Sequence, residues 1–286
     1  MKIIRSAQEM QGWAEAQRRR GRRIAFVPTM GYFHEGHLNL MRLARRKGDR
    51  LVVSIYVNPT QFSPTEDLGA YPRDFERDRK LAESVGVDVI FYPDNREMYP
   101  EGYQTYVEVE GVTKNLCGIS RPLFFRGVTT VCMKLFHIVQ PHITIFGKKD
   151  FQQYVTIKRM VRDLNMGIEV AGMDTTREPD GLAMSSRNVY LNTEERKSAL
   201  SLSRSITLAG ELYEKGERNS AYILEKVRST ITKYPDTDID YVRICDTTTM
   251  KDVTLIEGEC VLALAVRIGK TRLIDNCVFG EPLTCI

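Results

Sequence analysis

The sequence predicts an α/β protein: a doubly wound, Rossmann-like parallel sheet followed by a smaller C-terminal α+β domain. Short apolar runs alternate with amphipathic segments from about residue 24 to residue 172. Several of those runs are almost unbroken in Val, Ile and Leu, as strands covered on both faces require. Past about Arg177 the alternation stops, and two helical segments are followed by three strand-like ones, the order of a separate α+β unit. The expected division is therefore 1–176 and 177–286.

Each element has a local cause. Ser6 and Glu9 have capping-box spacing, so a helix starts there and ends before Gly21, with Arg18, Arg19 and Arg20 at its negative end. "RIAFVPT" is a buried strand closed by Pro28. "HLNLMRLARRKGD" places Leu38, Met41 and Leu43 at helical spacing and stops at Gly48, and "LVVSIYVN" is the next strand. Strand, loop, helix, strand make a βαβ unit. The pattern continues with "PRDFERDRKLAESVG" as helix, "VDVIFYP" as strand, "RGVTTVCMKLFHIVQ" as helix and "ITIFG" as strand. "KDFQQYVTIKRMVRDLN" is then a helix and "IEVAG" a strand. In the C-terminal part, "LNTEERKSALSLSRSITLAGELYEKGE" and "NSAYILEKVRSTITKY" are helices, while "DYVRICD", "CVLALAVRIG" and "TRLIDNCVF" are strands.

Composition narrows the function classes. The 286 residues are 42% hydrophobic and 27% charged with a formal charge of +4, too little excess charge to argue for a nucleic-acid partner. The densest basic run, "RRRGRR", lacks the interleaved aromatics of a single-strand binder and is explained by the helix end it forms. "MKIIRSAQEM" has no apolar core of signal-peptide type, and no run approaches the roughly 20 apolar residues of a membrane span. Six scattered cysteines without a C-x-x-C pair suit reduced thiols better than zinc ligands or disulfides. A cytoplasmic home is expected.

The chemistry gathers in loops after strands, where open parallel sheets bind ligands. "TMGYFHEGH" follows the first long strand and "NPTQFSPTED" the second, "KKDFQQ" follows "ITIFG", and "IEVAG" leads to "MDTTREPDGLAMSSRN". Two of only four histidines, His34 and His37, lie three apart in the first loop. Zincin histidines are four apart with a glutamate between them, so zinc is set aside. The bland alternative is that His34 caps a helix and His37 packs. Glycines on both sides and a helix start directly after a strand favour an anion site instead. Ser185, Ser186 and Arg187 offer two hydroxyls and a guanidinium fork to phosphate oxygens, though S-S-R alone is a common capped turn. Gln152 and Gln153 could orient hydroxyls and carboxylates, or could simply be an exposed first helical turn.

An HxGH loop paired with a downstream serine-rich basic loop resembles the HxGH nucleotidyltransferase superfamily. "PTMGYFHEGHLNL", "SIYVNPTQF", "YPRDFERD", "FRGVTTVCMKLF", "FGKKDFQQ" and "DGLAMSSRN" resemble, in order, the blocks of the pantoate–β-alanine ligase (pantothenate synthetase) family within it. The resemblance is strong to about residue 195 and rests on position and texture beyond it. It implies that ATP lies against Met30, Gly31, Tyr32, Phe33, His34, Glu35, Gly36 and His37, with His37 the catalytic histidine. Further ATP contacts would come from Gly147, Lys148, Lys149, Asp150, Thr176, Met184, Ser185, Ser186 and Arg187. Gln61 and Gln153 would hold pantoate, and Asp78 matches an acidic position near Mg2+ and the phosphates. Where the family usually reads R-P-G-H-F, this chain has "RPLFF", with Leu123 and Phe124 in place of Gly-His.

The implied reaction has two steps. Pantoate's carboxylate attacks the α-phosphate of ATP to give pantoyl adenylate and pyrophosphate, and the amine of β-alanine then displaces AMP. His34, His37, Lys149, Ser185, Ser186 and Arg187 are the groups suited to the developing phosphate charge, and the small C-terminal domain would be the lid of a dry site. Pantoate, β-alanine and ATP are then the partners, with a homodimer implied and no nucleic acid or membrane. An adenylyltransferase acting on a phosphorylated precursor explains the histidine loop equally well but not the glutamines.

Overall fold

The computed structural model describes residues 1–63 and 66–281; Pro64, Thr65 and Cys285 of the segments above lie outside them. Its strands in chain order are β1 (Lys2–Ile4), β2 (Ile24–Thr29), β3 (Arg50–Ile55), β4 (Val89–Phe91), β5 (Ile143–Gly147), β6 (Glu169–Met173), β7 (Thr237–Asp246), β8 (Cys260–Ile268) and β9 (Thr271–Val278). The helices are α1 (Ala7–Arg19), α2 (Glu35–Lys47), α3 (Phe75–Ser84), the single turns α4 (Asn95–Met98) and α5 (Cys117–Ser120), α6 (Phe124–Val139), α7 (Phe151–Asp163), α8 (Thr193–Glu214) and α9 (Ser220–Ile231). Of these, β1, α4 and α5 are absent from the sequence reading, being too short to show a period.

Contacts divide the chain into two units. One comprises Met1–Val109, Arg121–Gly147 and Thr156–Met173; the other comprises Glu110–Ser120, Lys148–Val155 and the chain from Asp174 onward. In the first unit six strands form an all-parallel sheet in the order β1-β4-β3-β2-β5-β6. Leu38, Met41 and Ala44 of α2 and Ala82 of α3 pack on Ala25, Val27, Leu51, Val53, Ile90, Ile143 and Ile145.

Strand order reverses between β2 and β5, the switch point at which such sheets bind ligands. A proline opens it. Ile24 exchanges hydrogen bonds with His142 just before β5, while the carbonyls of Arg23 and Thr29 accept from Arg50 and Tyr56 on the β3 side. Backbone direction alternates along a strand, so Pro28 faces β5 and has no N–H to give it. Pairing with β3 accordingly runs to Thr29, whereas pairing with β5 stops at Phe26.

In the second unit β7, β8 and β9 form an antiparallel sheet. Its Val242, Ile244, Leu262, Leu264 and Val266 are covered by Leu202, Ile206 and Ala209 of α8 and by Ile223, Val227 and Ile231 of α9. Asn192 caps α8 by accepting from Glu194 and Glu195 N–H, and Glu195 answers by accepting from Asn192 N–H. Gln152 is a buried tie rather than the exposed turn residue of the bland reading. Its Oε1 accepts from Cys117 N–H at 3.1 Å, and its Nε2 donates to Val112 and Asn115 carbonyls at 2.9 and 2.8 Å. Among the described residues no helix is long and apolar enough to cross a membrane.

Candidate active site

Directly after β2 the backbone turns left-handed at two successive residues, Gly31 (φ 85°) and Tyr32 (φ 53°). Such a conformation strains Tyr32, and its surroundings must hold it. Asp78, on the first turn of α3 and 1% exposed, does so by accepting from Tyr32 N–H at 2.6 Å and Phe33 N–H at 2.7 Å. A side chain at Gly31 would have its Cβ 3.0 Å from both Asp78 Oδ2 and Ile55 Cγ2. Burial pushes the Asp78 carboxyl above its usual range, against the pull of the Phe33 and Tyr32 amides and Arg77. A carboxylate closed off from solvent, with each oxygen on a backbone amide, does not fit a metal ligand. Asp78 thereby shapes the loop, and the metal position expected for it has both carboxylate oxygens engaged by backbone amides.

The turn delivers His34 in extended conformation as the N-cap of α2. His37 N–H donates to the His34 carbonyl at 2.9 Å, and His34 N–H donates to His37 Nδ1 at 3.3 Å. The two rings lie 4.1 Å apart. An Nδ1 that accepts carries no proton, so the neutral His37 ring keeps its proton on Nε2. Capping thus uses Nδ1, and the ring proton stays on the other nitrogen. The positive end of α2 and an Nε2–H donor meet on the first helical turn. Glu35 is exposed and paired with Arg42.

Gln61 ends a short 3-10 turn, Pro59–Gln61, after β3. Its Nε2 lies 3.2 Å from Met30 Sδ, so the second loop reaches the first. Asn58, which the sequence reading did not single out, is 1% exposed and fixes this turn. Its Nδ2 donates to the Gly127 carbonyl and to Gln61 Oε1, both at 3.1 Å, while its Oδ1 accepts from Thr60. The signal was present: Asn followed by Pro is a cap signature. Gly127 is required by closeness, since a Cβ there would sit 2.3 Å from the Thr60 carbonyl oxygen.

The unusual "LFF" finds its use beside this turn. Arg121 lies 3.8 Å over the Phe124 ring and donates to the Gln61 carbonyl at 3.0 Å and to Glu66 at 2.8 Å. Phe124 is thus a platform for the arginine, whereas Leu123 is exposed.

The remaining candidates, apart from Gly147 at the end of β5, belong to the second unit. Lys148, Lys149 and Asp150 form a 3-10 turn. Lys148 Nζ is held by Asp174 at 3.0 Å and Glu281 at 2.9 Å. Burial lowers its pKa, but these carboxylates outweigh it and leave the ammonium above its usual value. Lys149 and Ser185 line one small cavity with Asn188 and Asp275. Thr176 and Met184 are joined by backbone (Met184 N–H to the Thr176 carbonyl, 2.9 Å), and Arg177 bridges to Ala183. Ser185 caps the next turn by accepting from Arg187 N–H at 3.2 Å, Ser186 is buried, and Gln153 is half-buried on α7.

The profile of the family described as pantoate-beta-alanine ligase matches residues 2–278. The pantothenate synthetase of Syntrophus aciditrophicus is 67% identical over 283 residues, 99% of each chain. That of Syntrophobacter fumaroxidans is 58% identical over 278 residues, 97% of this chain and 98% of its own. Pantothenate synthetase from Thermus thermophilus has a similar structure, with TM-score 0.92 and 42% identity, covering 97% of this chain and 99% of that one. The pantoate-beta-alanine ligase of Francisella tularensis, complexed with beta-gamma ATP and beta-alanine, gives TM-score 0.78 at 31% identity over 97% of each chain. A match running from the first strand to the last, with relatives more than half identical over nearly their whole length, makes the chain a member of the pantoate–beta-alanine ligase family.

Proposed function

We propose that this chain condenses pantoate with beta-alanine at the expense of ATP, through pantoyl adenylate, with the residues above in stated roles. A carboxylate oxygen of pantoate forms a bond to the α-phosphorus, and the bond from that phosphorus to the bridging oxygen of pyrophosphate breaks. The beta-alanine nitrogen then attacks the acyl carbon, the bond to AMP oxygen breaks, and the amine gives up its proton. The Francisella relative, complexed with beta-gamma ATP and beta-alanine, supports both ligands. The observation that carries the roles is the His34 N–H donated to His37 Nδ1. It aims an Nε2–H donor from the start of α2 beside the sheet's switch point, where phosphate charge develops in the first step.

Gln61 and Gln153 are assigned to pantoate, and Lys149, Ser185, Ser186 and Arg187 to the phosphates. Met30–His37, Gly147–Asp150, Thr176 and Met184 complete the ATP contacts. Magnesium would travel with the ATP phosphates, and no side chain of this chain is assigned to it. A cytoplasmic setting fits the buried cysteines Cys117, Cys132, Cys245, Cys260 and Cys277, none of which is in a disulfide among the described residues. A homodimer is assigned on the family resemblance, and sedimentation would test it.

Pyrophosphate release from ATP tests the function. It should require pantoate, proceed without beta-alanine, and stay at background with other carboxylates. Equal release with any carboxylate, or with none, would remove the assignment.

A further inference from the structure

Strand β9 carries a charge where its pattern calls for an apolar residue. Leu273 and Cys277 lie in the core beneath α8 and α9, and between them on the same face stands Asp275. It is 2% exposed and receives Arg177 Nη1 at 2.7 Å and Nη2 at 3.0 Å. The same guanidinium donates to the Gly181 carbonyl at 3.1 Å, and Arg177 bridges Ala183. One bidentate pair therefore fastens the loop that ends in Ser185, Ser186 and Arg187. Asn276, next along the strand, faces the other way. Its Nδ2 donates to the carbonyls of Lys148 at 3.0 Å and Lys149 at 2.8 Å.

We propose that Asp275 and Asn276 are positioning residues for ATP: two neighbours on opposite faces of β9, one holding the serine–arginine loop and the other the lysine turn. Neither touches the nucleotide. Asn276 fixes the backbone from which Lys149 projects, and Asp275, through Arg177, fixes the strand-like segment that presents Ser185. Lys149, Ser185 and Asp275 already line one cavity, so a small shift of either loop alters the spacing of its donors. This assignment rests on the reading of Lys149 and Ser185–Arg187 as phosphate ligands.

Asn276 provides the cleaner test, because breaking a buried ion pair at Asp275 endangers the fold. Asn276→Ala removes both donors. Asn276→Val does the same while keeping a residue that strands favour, and serves if the alanine variant does not fold. Steady-state pyrophosphate release should show KM for ATP raised about tenfold, the size expected for two lost hydrogen bonds. KM for pantoate should stay within about twofold, with at least one variant still unfolding as a single cooperative transition. An unchanged KM for ATP, or equal rises for ATP and pantoate, overturns the proposal. Lys149→Ala, run in parallel, separates the two levels. If it leaves ATP unaffected, the phosphate reading itself fails; if it weakens ATP while the Asn276 variants do not, only the positioning role fails.

Discussion

His37 has two ring nitrogens, one accepting from His34 N–H and one proposed to act on phosphate, and mutation can tell these duties apart. Losing the Nε2–H donor should cut pantoate-dependent pyrophosphate release by about 10²–10³-fold in His37→Ala. Ready-made pantoyl adenylate and beta-alanine should still yield pantothenate at a substantial rate, since aminolysis depends mainly on proximity. Equal loss of both half-reactions in a stable variant would show that the ring does not act on the first step. His37→Gln should keep more of the loop's shape than alanine, because its side-chain oxygen can accept from His34 N–H. Gln61 is judged by substrate. Gln61→Ala should raise KM for pantoate by a factor corresponding to about 1–3 kcal/mol, with ATP little changed, and a comparable rise for ATP would reassign it. At this scale the sequence was legible where a residue stands at a helix start, as with His34, the N-cap of α2. It was silent where a polar group works by being buried. Gln152 and Asp275 look like ordinary surface residues in the chain, and only their partners reveal them, 35 to 98 residues away in the glutamine ties and the ion pair.

The contact between α6 and the Pro59–Gln61 turn has no slack. In Gly127→Ala the new methyl cannot coexist with the Thr60 carbonyl, 2.3 Å from its ideal position, and α6 is held by a buried core on its other side. The turn must move, so thermal stability should fall by an amount typical of overpacking, about 1–3 kcal/mol, and pantoate KM should rise. Unchanged pantoate kinetics in a folded variant would mean that the turn does not set Gln61. The N-terminal end of α6 is more forgiving. Phe124→His retains a flat ring beneath Arg121, so activity should change only modestly. Phe124→Ala removes a contact worth about 0.5–2 kcal/mol and should loosen pantoate binding further. A loss beyond about a hundredfold in the histidine variant would show that the loop is built around the apolar pair. Most elements were readable from their periods, and β5 matches its segment residue for residue. Pairing was less readable. Nothing in "KII" at residues 2–4 announces β1, whose placement comes from the backbone of β4 rather than from its own pattern.

Acid should weaken the second unit more than the first. In the second, Asp180, Asp246 and Asp252 are opposed by burial, yet hydrogen bonds from Arg196, from Thr249 and Thr248, and from Asn115, Cys245 and Arg243 hold them below the usual 3.8. Their contribution is complete above that value and is lost as pH falls below it, through their lowered folded-state values. In the first, Asp78 is raised above 3.8 by burial, so its ionisation weakens the folded state as pH rises. Urea unfolding at pH 5 and pH 3 should show the second unit losing stability on acidification. The first unit, followed by the lone Trp13 in α1, should lose less. In Asp78→Asn that advantage at low pH should disappear, and an identical acid response in both proteins would exclude the assignment. The tie from Asn276 to the lysine turn also has a consequence in time. A ribosome adds Asn276 127 residues after Lys149, a delay of roughly 6–25 seconds at usual synthesis rates of about 5–20 residues per second. Until β9 emerges, the carbonyls of Lys148 and Lys149 lack the Asn276 donor. On the positioning role proposed for Asn276, a nascent chain with a finished parallel sheet does not yet hold its lysine turn for ATP, and that hold arrives with β9.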